Sequence, residues 1–346
     1  IFNFLLLLGF LSGCDYLDIV PDNLPTLEMA FNNKSSAERF LFTCYSFVPE
    51  HGKIGTDPGM DVGDEVWYYS DNSADYSNKT TFWIAKGMQN SNEPLVDYWN
   101  GTQWGKAMFV GIRDCNVFIE NIEKVPDLSA YDKETWKAEA KVLKAFYHFW
   151  MMRMYGPIPI IKENIPVSAG EDEVRVVRDK IDDIVTYIVS LIDESVEYLP
   201  LNIQNEAAEM GRITRPAAKA IKAKILAFAA SPFFNGNLDY ANFKNAEGEP
   251  FFNQVYDNEK WTKAADACLE AIQCAEEAGH GLYEFVNMSS TQLSDETILS
   301  LSNRCKVTER WNKELVWGCG QSGIRDLQVL CQPWLESNYS SDDRYH

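Results

Sequence analysis

The sequence is poor in positive charge. Its 31 Lys and Arg residues stand against 51 Asp and Glu residues, which gives a formal net charge of −20 at pH 7. A chain this acidic is not expected to bind nucleic acid, because phosphate backbones require basic surfaces. The same deficit argues against attachment to anionic lipid through a basic patch. The charge alone identifies no partner, since a solvated acidic surface is the ordinary interpretation.

Motifs for metal, redox and nucleophilic chemistry are also missing. The four histidines show no metal-ligand spacing, and no two of the eight cysteines are spaced as CxxC, so neither a zinc site nor a thioredoxin-type centre is predicted. No nucleophile elbow or catalytic triad motif is visible. The sequence therefore predicts a protein that is not an enzyme and that uses no cofactor.

The apolar run at the start of the chain is too short to span a bilayer, which needs about 20 residues. Residues 1–11 read IFNFLLLLGFL, and Ser12, Gly13 and Cys14 follow at once. Leu-Ser-Gly-Cys resembles the lipobox of bacterial lipoproteins, in which the Cys carries lipid, including palmitate. We predict residues 1–13 as an N-terminally truncated signal peptide and residues 14–33 as a lipidated tether. The alternative is an ordinary signal peptide with a chance Cys.

Helical patterns dominate the chain after about residue 105. The strongest covers residues 136–161, where good helix formers precede apolar residues at helical spacing. Gly156-Pro157 ends this helix and forces an extended exit. Because the pattern is apolar on most faces, we expect neighbours to bury the helix on several sides. Further helices are predicted at residues 35–47, 106–124, 178–198, 215–230 and 261–277, and a short strand at residues 314–317.

Residues 49–104 differ in kind from the rest. They are rich in Gly, Asp, Asn and Ser, carry many Trp and Tyr residues, and show no helical stripe. Long stretches without regular structure are usually functional or disordered, and the aromatic residues argue against disorder. This region is therefore the first place to look for a binding site.

Four separated stretches together resemble one protein family. They are LSGC followed by DYLDIVP, then AEAKVLKAFYHFWMMRMYGPIPII, GRITRPAAKAIKAKILAFAASPFFNG and WTKAADACLEAIQCAEEAGHGLY. In this combination and order the chain resembles the SusD/RagB family of nutrient-binding outer-membrane lipoproteins. The resemblance implies a mainly α-helical fold, with tetratricopeptide-like helix pairs packed beside a loop-rich, irregular ligand-binding region. Residues 34–346 would form a single domain of this kind whose C-terminal part is missing.

The resemblance also implies a function. Such a protein binds polysaccharide or oligosaccharide at the cell surface without catalysis and delivers it to a SusC-like TonB-dependent transporter in the outer membrane. Two alternatives remain open from the residues themselves. One is a helical scaffold or lid of the transporter without tight sugar binding. The other is a surface glycoside hydrolase using Asp64 and Glu65, although adjacent carboxylates rarely face each other across a cleft.

Candidate glycan contacts come from the early loop, which the family's pattern places at about residues 57–104. Flat aromatic rings cover the C–H faces of sugars, while carboxylates and amides bond to their hydroxyl groups. The alternative for each aromatic residue is packing of the loop onto the helices. A later region, where the family often completes its site, adds Arg304, Trp311 and Trp334. The candidates from the early loop are Trp67, Tyr68, Asp71, Asn72 and Trp83.

A calcium motif can be tested on its spacing. Asp and Ser alternate from Asp71 to Ser77 like the start of an EF-hand loop. Tyr76 stands where that loop needs Gly, and Phe82 stands where it needs Glu, so an EF-hand is excluded. No metal site is predicted. An Asx-rich turn is the ordinary interpretation, and another kind of calcium site stays open.

Overall fold

The computed structural model describes residues 27–50, 57–63 and 80–320. Helices account for the regular structure in these ranges, and β pairing there is limited to isolated bridges, so the predicted mainly α fold is confirmed. The long helices are α1 (Lys34–Tyr45), α2 (Met108–Asn121), α3 (Ala130–Tyr155), α4 (Ile181–Asp193), α5 (Arg215–Ala230), α6 (Glu259–Glu277) and α7 (Asp295–Thr308). Shorter helical segments are Leu27–Ala30, Pro58–Asp61, Thr80–Ala85, Ile122–Lys124, Glu171–Val174, Val196–Tyr198 and Glu206–Glu209.

Three local predictions need correction. The N-cap of α1 is Asn33, whose side chain accepts a hydrogen bond from the Ser36 amide, so the helix begins at Lys34, one residue before the predicted start. The strand predicted at residues 314–317 is wrong, because the chain turns there and the Leu315 amide donates to the Asn312 carbonyl at 3.1 Å. Helix α7 lies where no helix is predicted. Only Ser302 of its sequence, DETILSLSNRCKVT, is buried, so the helix has no buried apolar face.

Helix α3 is the centre of the fold, as the sequence predicts. Ser129 caps its start by accepting from the Asp132 amide, and Gly156 ends it at a φ of 71° that favours glycine. Every residue from 142 to 152 is buried, so neighbouring elements cover this part of the helix on all sides. Burial of large side chains such as Trp150 and Phe149 stabilises the fold by about 1.5–3 kcal/mol each.

The exit from α3 is fixed by hydrogen bonds as well as by its prolines. The Ile161 amide donates to Nε2 of His148 at 3.1 Å, and the Ile160 amide donates to the Asp179 carboxylate at 2.7 Å. The Asp179 amide donates in turn to the Ile158 carbonyl at 2.9 Å. The extended segment after α3 is thereby held between α3 and the approach to α4.

Consecutive helices pack in pairs. Helices α2 and α3, α3 and α4, and α5 and α6 are each in contact, which agrees with the predicted tetratricopeptide-like pairing. Small side chains allow α5 and α6 to approach closely, since Ala223 packs with Ala267 and Ala271 at their interface. Within the described residues, no helix has both the length and the apolar character needed to cross a membrane.

Candidate functional site

Most of the predicted early-loop residues fall outside the described part of the chain. These are Trp67, Tyr68, Asp71 and Asn72, and the predicted lipidation site Cys14 also lies outside it. Trp334 of the later region does so too. These assignments therefore stay predictions.

Trp83 lies in a short helix, Thr80–Ala85, instead of a loop. Its indole is half-buried, and the Lys86 ammonium stands 5.2 Å from the centre of the ring. A cation at this distance is attracted to the ring face. Lys86 therefore competes with any sugar for that face of Trp83.

Trp311 packs against backbone. It is half-buried at a φ of 51°, and a Cβ placed on Gly318 would lie 3.2 Å from its Cζ3 atom. This contact supports the packing alternative for Trp311. Arg304 is exposed on α7. The use of these three residues in one site stays a prediction.

The turn at residues 96–105 follows Trp83 later in the chain and is closed by backbone pairing. Asp97 and Thr102 form an antiparallel bridge, and the Val96 amide donates to the Gln103 carbonyl at 3.0 Å. Gly105 closes the turn, because a Cβ there would lie 2.2 Å from the Asp97 backbone. Only glycine fits at this approach. The turn is therefore a compact, rigid unit.

The buried carboxylate of Asp97 organises this turn. It accepts hydrogen bonds from the amides of Trp99 and Asn100, from Nδ2 of Asn100 and from the Thr102 hydroxyl, at 2.9–3.2 Å. Burial alone would raise the pKa of Asp97, but these hydrogen bonds favour the charged form and bring the pKa below its ordinary value. The turn therefore stays locked at neutral pH, where Asp97 is ionised.

Trp104 is the exposed aromatic side chain of this turn. Its side chain is 72% exposed, and its φ is 71°, a conformation that bulky residues rarely adopt. The preceding Gln103 has a φ of 50°. Strained backbone of this kind persists only where its surroundings enforce it, and it concentrates at ligand-binding positions. The 96–105 turn thus holds a large indole out into solvent at a cost in backbone strain.

Trp99 fastens the turn to the C-terminal end of α3. Its ring meets the rings of Phe109 and Tyr155 edge-on, with centroids 4.8 and 5.6 Å apart, and the Arg178 guanidinium lies 5.2 Å from its centre. The Tyr98 amide donates to the Tyr155 hydroxyl at 2.9 Å. Burial raises the pKa of Tyr155 to about 12, so this hydroxyl stays neutral. Trp99 anchors the turn, whereas the Trp104 side chain remains exposed to solvent.

A cavity of about 450 Å³ lies at the C-terminal end of α1. Phe42, Val48, Met210 and Trp317 contribute apolar walls, and Arg212 contributes a charged group. The Arg212 guanidinium donates to Glu139 at 2.7 Å and to Glu209 at 3.0 Å, so its charge is already paired. The Trp317 indole donates to the Gly211 carbonyl at 3.0 Å. With these donors engaged, the cavity is less suited to orienting a sugar than the exposed turn.

Sequence reasoning places Trp104 within the predicted loop region but does not single it out. The feature that distinguishes it is a positive φ on a bulky residue beside a glycine that admits no Cβ. The Trp-Gly pair at residues 104–105 is the sequence signal that could have drawn attention to it.

Comparisons with known proteins agree on one family. A family model described as "Starch-binding associating with outer membrane", of the SusD-like group, matches residues 15–226. A SusD-like protein of Bacteroides ovatus is 31% identical over 99 residues, which are 29% of this chain and 16% of that protein. The solved structure of BT4246 is 28% identical, with a TM-score of 0.68 over 84% of this chain and 51% of its own.

A more distant structure shares the fold. A structure described as a laminarin binding SusD-like protein is 17% identical, with a TM-score of 0.52 over 83% of this chain and 51% of its own. At this identity the similarity concerns the fold alone. The chain spans about half the length of the solved structures that it matches.

Proposed function

Because the chain belongs to the SusD-like family of outer-membrane, carbohydrate-binding proteins, we propose that it is a non-catalytic glycan-binding protein of the cell surface. It is anchored through a lipid on Cys14 and delivers bound oligosaccharide to a SusC-like TonB-dependent transporter. The observation that carries the binding proposal is Trp104, an exposed indole on a rigid turn. The fixed backbone of the turn holds the indole in solvent, where its flat face can cover the apolar C–H face of a sugar.

The proposal predicts that Trp104→Ala weakens glycan binding by about five- to thirtyfold, since the loss of one aromatic contact costs about 1–2 kcal/mol. Affinity electrophoresis of the purified protein against a panel of polysaccharides identifies a ligand, and calorimetry with oligosaccharides from that polysaccharide measures the change. Tyr131→Ala is the matched control, because Tyr131 is 68% exposed on the first turn of α3, at the other end of that helix from the 96–105 turn.

Three outcomes would count against the proposal. If no polysaccharide retards the wild-type protein, a scaffold or lid role without sugar binding is favoured. If Trp104→Ala and Tyr131→Ala behave alike while the wild type binds, the site lies elsewhere. Release of reducing sugar that is abolished by Glu65→Gln would show a hydrolase instead.

A further inference from the structure

The loop between α5 and α6, residues 231–258, is long for a connection without regular structure, and such loops are usually functional or disordered. This one is ordered by hydrogen bonds that join its two ends. Buried Asn235 donates to the Asp257 carbonyl at 2.8 Å and accepts from the Asp257 amide at 2.9 Å. The amides of Gly236 and Asn237 both donate to the Asn253 carbonyl at 3.1 Å. The loop therefore holds its side chains in fixed positions.

Those side chains form an aromatic stack. Tyr240 lies over Phe252 with ring centroids 4.8 Å apart and planes 24° apart, and Phe252 lies parallel to Phe234 at 6.0 Å. Phe233 meets Tyr240 and Phe252 edge-on at 5.6 and 5.7 Å. Phe234 and Phe252 are buried, whereas Tyr240 is 40% and Phe233 47% exposed. The stack is a buried base that presents two aromatic rings to solvent.

The stack and the 96–105 turn lie at the same end of α3. A Cβ placed on Gly156 would lie 3.2 Å from Cζ of Phe252, so the stack packs on the residue that ends the helix. The preceding residue, Tyr155, holds the 96–105 turn through Trp99 and Tyr98.

Arg178 strengthens this junction by standing over Trp99 and donating to the Pro157 carbonyl. Two rigid aromatic groups therefore flank one helix end.

We propose that Tyr240 and Phe233 form a second glycan subsite, which binds a pyranose ring of an extended oligosaccharide whose other part lies on Trp104. The assignment rests on the proposed function. Asp239 and Asn242, exposed beside Tyr240, offer hydrogen-bonding groups for sugar hydroxyls. A carboxylate at this position fits a sugar better than the core of a protein interface, where Asp is depleted.

Two subsites at the same end of α3 make affinity depend on ligand length. A short sugar occupies one subsite. A longer chain contacts both, and because its second contact is intramolecular, its affinity is higher. The ligand class is therefore an extended oligosaccharide or polysaccharide rather than a monosaccharide or disaccharide.

Calorimetry with a length series from the polysaccharide that binds the wild-type protein tests the subsite. Tyr240→Ala is expected to weaken binding of the long oligosaccharides by about tenfold and to leave the disaccharide unchanged. Tyr240→Phe keeps the ring and should retain most of the affinity. Tyr256→Ala is the matched control, since Tyr256 is 57% exposed in the same loop but outside the stack. Near-ultraviolet circular dichroism checks that each variant is folded.

The outcomes separate this inference from the proposed function. If the wild type binds no glycan, both fail. If Trp104→Ala weakens binding while Tyr240→Ala is without effect at every length, the second subsite is wrong and the proposed function stands. If Tyr240→Ala leaves all glycan affinities intact but abolishes co-purification with a transporter, the stack is a protein-docking surface instead.

Discussion

His148 joins two parts of the fold through its imidazole. The Ile161 amide donates to Nε2, so Nε2 carries no proton, and Nδ1 therefore bears the proton and donates to the Lys144 carbonyl at 2.8 Å. Both nitrogens are used by the neutral form only. Burial is the main cause that lowers the pKa of His148 to about 4, far below its ordinary value. The side chain thus links α3 to its exit segment through hydrogen bonds that depend on pH.

The stability that His148 confers should be lost on acidification. In the unfolded chain His148 takes up a proton below about pH 6.5, whereas the folded protein resists protonation until about pH 4. The free energy of unfolding therefore falls as the pH drops through this window, by on the order of 3 kcal/mol at most. Urea unfolding of wild type and His148→Gln at neutral pH and near the lower end of the window measures the difference. Equal pH dependence in the two proteins would contradict this role.

At the residue scale, the exposure of Trp104 could not be predicted from the sequence. Composition identifies residues 49–104 as an irregular aromatic region, which is enough to predict a site there. Which aromatic is exposed depends on the fit between Gly105 and the Asp97 backbone and on the anchoring of Trp99 by Tyr155. These are contacts between distant or strained parts of the chain, and no local pattern encodes them.

At the scale of elements, one buried network ties α1, α3 and the start of α5 together. Arg212 makes a two-pronged contact with Glu139 of α3, and the Tyr45 hydroxyl of α1 donates to the same carboxylate at 2.5 Å. The Ile213 amide, just before α5, donates to the Tyr45 hydroxyl at 2.9 Å. Burial raises the pKa of Glu139, and Arg212 and Tyr45 oppose that rise. Each member therefore depends on the others.

Removing the cation from this network should be costly. Arg212→Met leaves Glu139 buried without its partner and is expected to lower the free energy of unfolding by about 3–5 kcal/mol. Lys222→Met is the control, because its partner Asp193 is half exposed, and it should cost no more than about 1 kcal/mol. The double variant Arg212→Met/Glu139→Gln should recover part of the loss. Denaturant unfolding measures all three, and equal losses for the two single variants would refute the argument.

The helices differ in how far their sequences predict them. Helix α3 is predictable because its capping Gly156 and its apolar run act locally, and α5 because Thr214 and Pro216 mark its start. Helix α7 escapes prediction because it buries almost nothing and depends on its cap, where Ser294 accepts from the Thr297 amide at 3.2 Å. Periodicity reports burial, so a helix without a buried face leaves little trace in the pattern.

For the whole molecule, helix packing and the proposed glycan binding belong to different regions. The helix pairs build a rigid body around α3, and the irregular segments at residues 96–105 and 231–258 place aromatic rings at one end of it. Packing on Phe252 holds the Tyr240 and Phe233 rings in place, and the backbone of the 96–105 turn fixes the position of Trp104. The family can be identified from the packing motifs while the ligand cannot, because the proposed ligand contacts lie in other stretches of the sequence.

Attachment to the membrane should depend on the lipid at Cys14. With a net charge of −20, the protein is repelled by anionic lipid and gains no electrostatic adhesion. A diacylglyceryl group supplies two acyl chains, which suffice for stable anchoring where a single chain does not. Cells that express the wild type should therefore incorporate labelled palmitate into the protein, whereas cells that express Cys14→Ser should not. The matched control Asp15→Asn changes the neighbouring residue, keeps the thiol and should take up the label. Label on Cys14→Ser would show that another residue carries the lipid.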